Sequence, residues 1–413
     1  MRASQAPAGR LIVRPLAAGD DLDAAFDLRR RAFGPPAGAG SGESQGPAAG
    51  AHAIWRTANE SVIRDGRHLG VFDGPRLIAA GLVHDMRQWW RGRAVPMAGV
   101  AGVAVAPEER GRGVGRTLMT ALLDLIAARS YPLSALFPST LPIYRSLGWE
   151  IAGTSHEAAI AAHALRPLAI SSPEAPPEVD VRRAGPDDAA RALAVLNRVH
   201  QDAGDCGPAT RDEPSLRLAL GNEGFYCYLA EDGLLMYTWR RGHDEIFVQL
   251  AVASSEATTR ALWGIVASHC WIAGLVRARI GPADPVWWMT REPFADAVDH
   301  DTWMLRVLDP AAAIAGRGFP AGLSAGASLE LTDEARPENS GRWRLEVSGG
   351  HGSLSRDSGH GPALVAGARG LAALYAGTPV ATLRRAGLAG GDSGGDALLD
   401  AAFAGAPYML DRF

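Results

Sequence analysis

The sequence predicts an α+β chain of three domains, and three observations carry that prediction. The first is length: 413 residues exceed one core, and roughly 100–200 residues per domain gives two to four. The second is an internal echo. Val13-Arg14-Pro15-Leu16 with Asp20-Asp21 returns as Val181-Arg182-Arg183-Ala184 with Asp187-Asp188, and Val100 to Ala106 returns as Phe247 to Ala253. The third is a change of pattern near Trp303, where strand candidates, a glycine hairpin and short helices replace the earlier order. The expected units are residues 1–165, 178–300 and 301–413, with a proline-rich joint from Arg166 to Pro177.

Elements of the first unit follow in order. Leu11 to Arg14 reads as a strand, and Asp20 or Asp21 caps a helix from Leu22 to Ala32. Residues Gly34 to Gly50 are low-complexity, without period or aromatic, and read as a mobile loop. Strands are expected at His68–Phe72, Leu77–Met86 and Val95–Val105, then a helix over Gly113–Arg129. Leu133–Phe137 reads as a buried strand, and Pro142–Leu147 as a short helix ended by Gly148. In the second unit a helix over Thr259–Ala273 follows the repeated strand, without the glycines that open the first helix. The third unit offers strands at Ser328–Leu331 and Trp343–Val347, and helices near Gly367–Tyr375 and Asp396–Phe403. Its tail, Tyr408 to Phe413, is rich in apolar residues where tails are usually polar, so it is expected to pack.

Composition excludes several classes. Apolar residues are 47% and charged residues 21%, ordinary for a soluble globular protein. A net charge of −4 gives no reason to expect a nucleic-acid partner. No apolar run reaches the ~18 residues a membrane helix requires. The opening MRASQAPAGR lacks the apolar stretch of a signal peptide, so a cytoplasmic protein is expected. Cys206, Cys227 and Cys270 are odd in number and far apart, which suits reduced thiols and no metal site.

The chemistry concentrates in Val103-Ala104-Val105 and the loop Arg110-Gly111-Arg112-Gly113-Val114-Gly115-Arg116 that follows. A strand, a turn and a helix start place open backbone N–H groups at the positive end of a helix dipole, which is a pyrophosphate cradle. Glycines 111, 113 and 115 allow close approach, and Arg110, Arg112 and Arg116 add charge. A Walker loop would end in Gly-Lys-Ser/Thr, and a dinucleotide fingerprint would place glycine at 116; neither fits. Arg110-x-x-Gly113-x-Gly115 instead resembles the acyl-coenzyme A loop of the Gcn5-related N-acetyltransferases (GNAT). Ile143-Tyr144-Arg145-Ser146-Leu147-Gly148-Trp149 resembles the closing motif of that superfamily, in which Tyr144 would lie beside the thioester sulfur. A phenol of reference pKa near 10 can protonate a leaving thiolate.

End to end the chain resembles the enhanced intracellular survival (Eis) branch: a GNAT unit, a degenerate second copy, then a sterol-carrier-protein-like domain. The matching features include Val103 to Pro107, Tyr131-Pro132-Leu133, Tyr144 with Gly148, the Trp303 region, Leu371 to Gly377 and terminal Phe413. The resemblance implies acetyl-CoA bound by Val103 to Val105, Arg110 to Arg116, and Ser139-Thr140, with Tyr144 as general acid. It implies the main-chain carboxylate of Phe413 as general base, a homohexamer, and amines of aminoglycosides or lysine side chains as acceptors. Arg412 beside that carboxylate would depress its proton affinity and repel polycations. The expected function is acetyl transfer to a primary amine without a covalent enzyme intermediate. The competing class is a non-catalytic acyl-CoA sensor or lipid-binding protein.

Overall fold

The computed structural model describes residues 11–34, 48–169, 179–240, 242, 244–290 and 297–413. The first unit comprises β1 (Ile12–Pro15), α1 (Asp20–Phe33), α2 (Ala48–Arg64), β2 (His68–Asp73), β3 (Arg76–Trp90) and β4 (Arg93–Val105). It continues with α3 (Val114–Ala128), β5 (Leu133–Leu136), α4 (Pro142–Arg145) and β6 (Glu150–Ala161). The second holds α5 (Arg166–Ala169), β7 (Arg182–Arg183), α6 (Ala189–Ala203), β8 (Cys206–Arg211), α7 (Glu213–Leu220) and β9 (Tyr226–Leu229). Then come β10 (Gly233–Arg240), β11 (Glu245–Ala253), α8 (Glu256–Ala267), β12 (Leu275–Ile280), α9 (Val286–Met289) and β13 (Ala297–Val307). The third has α10 (Pro310–Gly316), β14 (Ala325–Thr332), β15 (Gly341–Ser348), β16 (His351–Arg356) and β17 (Leu364–Gly367). It ends with α11 (Ala368–Tyr375), α12 (Val380–Arg385), β18 (Ala389–Gly391) and α13 (Asp396–Phe403).

The first two units share one sheet, in the order β1-β2-β3-β4-β5-β13-β6-β12-β11-β10-β9-β7, with β8 added onto β3. Within it β4 runs parallel to β5 and β11 parallel to β12, the same pairing in each half of the internal echo. β13 inserts between β5 and β6, antiparallel to both. The boundary expected at residue 300 therefore falls inside β13, which closes the first unit's half of the sheet and leads into the third unit. A separate sheet, β16-β15-β14-β17-β18, belongs to the third unit.

Two cores sandwich the strands that carry the site. α3 lays Leu118, Met119, Leu122, Leu123 and Ile126 on one face of the sheet, a 3.6-period stripe left almost no exposure. On the other face Trp90, Val95, Met97 and Trp303 pack with Leu329, Leu345 and Tyr375 of the third unit. Arg306 on β13, fully buried, meets the carboxylate of Asp333 at 2.7 and 2.5 Å. A desolvated pair survives only with both partners and good geometry, so this one fixes how the third unit seats on the sheet.

Several elements depart from the sequence reading, among them the helix expected over Thr259–Ala273, which runs from Glu256 to Ala267. Of the segment read as a mobile loop, residues 35–47 lie outside the described residues, and 48–50 begin α2. That helix buries Asn59, Val62 and Ile63 against the sheet, but its Ala/Gly start carries no cap signal. β6 was not anticipated either: its alanines replace β-branched residues because β13 and β12 flank it on both edges.

Candidate active site

A cleft beside β4 arises from a broken ladder. β4 pairs with β5 only at Met97–Leu133, Ala98–Ser134 and Gly99–Ala135, then continues to Val105 along β3 alone. Between the pairs Leu82–Ala101 and Ala80–Ala104, β4 carries one extra residue. Such a bulge bends the strand and ends its pairing on one side. Val103, Ala104 and Val105 thus border a gap in which no described strand meets the β4 edge.

Next comes a turn at Pro107–Glu109, and α3 then opens at Gly113, whose φ of +80° a side chain would resist. No side chain caps this helix, and the first intrahelical bond runs from the Thr117 N–H to the Gly113 carbonyl at 3.0 Å. The N–H groups of Val114, Gly115 and Arg116 are therefore open. A Cβ at Gly111 or Gly113 would meet nothing within 4 Å, so the cradle has room for an anion. The three arginines differ. Arg116 donates to the Ser146 hydroxyl at 3.0 Å, Arg110 reaches the Ala32 carbonyl at 3.5 Å, and Arg112 pairs with buried Glu109. Glu109 also pairs with Arg76, so much of the Arg112 charge is spent within the protein.

Ser139 and Thr140 follow β5 and are exposed. α4 brings Tyr144 back beside them, buried at 5% exposure and hydrogen-bonded to Ser139. Burial raises the phenol pKa, and the Ser139 bond offsets part of that rise.

The C-terminal tail completes the cleft. The Tyr408 N–H donates to the Cys206 carbonyl at 3.1 Å, and the Met409 N–H to the Thr154 carbonyl at 3.0 Å. Met409 is fully buried, and Asp411 takes Arg211 bidentately at 2.7 and 3.1 Å. The Phe413 ring then lies over Gly99, the last residue of the β4–β5 ladder, with ring centroids 5.7 Å from Phe137 and 6.5 Å from His84. The Arg412 guanidinium pairs with Asp301 of β13 at 2.6 Å, which offsets part of its charge. Asp301 is an exposed residue of β13.

Close passage of the tail makes Gly207 a sensitive position. Its φ is +99°, and a Cβ there would lie 2.4 Å from the Tyr408 carbonyl oxygen. Gly207→Ala should displace the tail and lower turnover by at least tenfold, while leaving acetyl-CoA affinity unchanged. Calorimetric donor binding beside steady-state rates checks this, and unaltered turnover would detach the tail from the chemistry.

A cavity of about 620 Å³ opens beside Phe413, walled by α1, α2, β3, β4 and α7. His68 and His84 face it, and burial pushes them down to about 4 and about 3, so both are neutral at pH 7. Arg67, Arg211 and Arg412 each carry a partner, Asp65 at 2.8 Å, Asp411 at 2.7 Å and Asp301 at 2.6 Å. Asp85 and Asp212 are its acids. Trp55 of α2 and Leu218 of α7 also line it and went unnoticed in the sequence, since neither carries a motif.

The second unit repeats the parallel pairing but not the cradle. β11 and β12 part after Val248–Ala278. There α8 is capped by Ser255, whose hydroxyl accepts the Thr258 N–H at 3.2 Å, and Thr258 in turn donates to the Asp232 carboxylate. Acid thus stands where the first unit leaves open N–H groups, and it would repel a phosphate.

Among the described residues no three metal-ligating side chains gather, and no helix is long and apolar enough to cross a membrane. All three cysteines are free thiols.

Family models described as an acetyltransferase (GNAT) domain match residues 13–152 and 207–307, and a sterol carrier protein domain matches residues 310–410. An uncharacterized N-acetyltransferase of Streptomyces coelicolor is 30% identical over 310 residues, 69% of this chain and 72% of that protein. N-acetyltransferase Eis of Mycobacterium tuberculosis is 37% identical over 108 residues, 25% of this chain and 26% of that protein. The solved GCN5-related N-acetyltransferase from Kribbella flavida superimposes with a TM-score of 0.90 at 42% identity, covering 99% of this chain and all of that one.

Proposed function

Because the chain belongs to the GCN5-related N-acetyltransferases, with Eis among its relatives, we propose that it acetylates a primary amine in the cavity beside Phe413 by direct transfer. The observation that carries this is the delivery of the last residue of the third unit to the splay between β4 and β5 of the first.

Acetyl-CoA supplies the thioester to be aminolysed and a pyrophosphate for the loop. The open N–H groups of Val114, Gly115 and Arg116, with Arg110 and Arg116, suit the anion, and Arg112 contributes less because Glu109 pairs with it. Val103 to Val105 and Ser139-Thr140 border the cleft where the acyl end belongs. In the transfer, the amine nitrogen attacks the acetyl carbonyl carbon as the C–S bond breaks. The amine's proton passes to an oxygen of the Phe413 carboxylate, and the Tyr144 hydroxyl proton goes to the departing sulfur. Burial disfavours phenolate and thiolate alike, so the raised Tyr144 pKa does not by itself block this second transfer. Solvent exchange then restores both groups.

The acceptor side supports amines of the aminoglycoside or lysine type. Of the four arginines that line the cavity, Arg67, Arg211 and Arg412 are each paired with a carboxylate, which lowers their repulsion of a cationic acceptor, and Asp85 and Asp212 are the acids that face it. Asp301→Ala should therefore raise KM for a polycation such as kanamycin up to about fivefold, the effect of an exposed pair worth 0–1 kcal/mol, and spare a mono-aryl amine. Thiol release against both acceptors reads this; equal shifts for the two would remove Arg412 from acceptor choice.

A further inference from the structure

We propose that the second acetyltransferase-like unit holds a non-catalytic site for a small apolar amine, in a cavity walled on one side by the tail that carries Phe413. The inference goes beyond the catalytic reading and uses none of its residues.

The cavity measures about 360 Å³, at the lower end for small-molecule sites. It lies where β11 and β12 part, the counterpart of the donor cleft in the first unit. Ala251 and Ala253 of β11, Leu262 and Trp263 of α8, and the tail from Ala404 to Ala406 give it largely apolar walls. A coenzyme is the wrong occupant, because the cap on α8 and Asp232 have replaced the phosphate cradle. What fits is a molecule without phosphate.

Its polar groups choose the head group. Asp205 is already engaged, by His200 at 2.7 Å and by the Tyr408 hydroxyl. Arg91 also lines the wall, but its guanidinium donates to the Ala404 carbonyl at 3.2 Å. Asp284 differs. One of its oxygens accepts the Val286 N–H at 3.0 Å, and among the described residues no cation pairs with it. Burial, with Asp205 nearby, pushes this carboxyl up to about 7. An acid held against apolar walls without a counter-ion is complementary to a ligand that brings one basic nitrogen on an apolar body. The Tyr408 ring packs against Gly281 at the same wall, five positions before the chain end, so the occupant would touch the segment that presents Phe413.

The test is calorimetric titration of the full-length protein with 2-phenylethylamine. Asp284→Asn should lose one bound equivalent relative to wild type, and so should Ala253→Leu, which fills the cavity from β11 and guards against misfolding of the first variant. The alcohol 2-phenylethanol should bind this site at least tenfold more weakly than the amine. Unchanged stoichiometry in both variants, or equal binding of the alcohol, would overturn the proposal. Transfer rates do not enter the readout, so failure of the acceptor assignment leaves it intact and separately visible.

Discussion

One residue added after Phe413 is expected to lower kcat by about 10²–10⁴-fold, the usual contribution of a positioned general base, with acetyl-CoA affinity unchanged. Four positions of the tail are tied down before the last: Tyr408 and Met409 bond to Cys206 and Thr154, Asp411 to Arg211, and Arg412 to Asp301, while Leu410 is buried. The Phe413 ring is wedged among Gly99, Phe137 and His84. An appended residue cannot be absorbed upstream, so the carboxylate moves past the splay while an amide replaces it there. His84 cannot substitute as base in this site's ordinary geometry; its pKa near 3 makes its proton affinity lower than a useful base at pH 7 requires. A tail-extended enzyme with normal turnover would remove the terminal carboxylate from the mechanism.

Tyr144→Phe should cost a similar 10²–10⁴-fold in kcat while leaving donor affinity intact. The hydroxyl is the only atom removed, and the ring that fills its buried place in the α4 turn remains. Its local partner is the Ser139 hydroxyl, so loss of one hydrogen bond changes stability by only about 1 kcal/mol. A drop in kcat without a drop in melting temperature therefore separates an acid from a packing tyrosine. The raised phenol pKa adds a sign: Tyr144 keeps its proton above its ordinary value near 10, so wild-type activity should not fall as pH rises from 8 to 9.5.

Legibility in the sequence followed locality. The cradle was readable because strand, glycines and helix are contiguous from Val103 to Arg129, and the observed α3 starts within one residue of the expected position. The duplication was readable because the parallel β4–β5 and β11–β12 pairs repeat a short apolar run. The tail announced its packing through its apolar residues, and Met409 is fully buried. What stayed hidden depends on distant pairing. Nothing around Asp301 says that it meets Arg412, or that β13 crosses into the first half of the sheet. α2 hid for another reason: its first turn is compositionally a loop, and only tertiary burial of Val62 and Ile63 makes it pay. The cavity beside Phe413 likewise joins α1 and α2 to α7 across two units, a juxtaposition no spacing encodes.

The most direct measurement is a stoichiometric one: free thiol released from acetyl-CoA and N-acetylated amine formed, followed together in one reaction. An acetyltransferase working by direct transfer gives one acetylated amine for each thiol, and no thiol when the amine is omitted. Donor binding without amine-dependent thiol across aminoglycoside, polyamine, lysine-peptide and aryl-amine acceptors would contradict the account and mark the first unit as an acyl-CoA sensor.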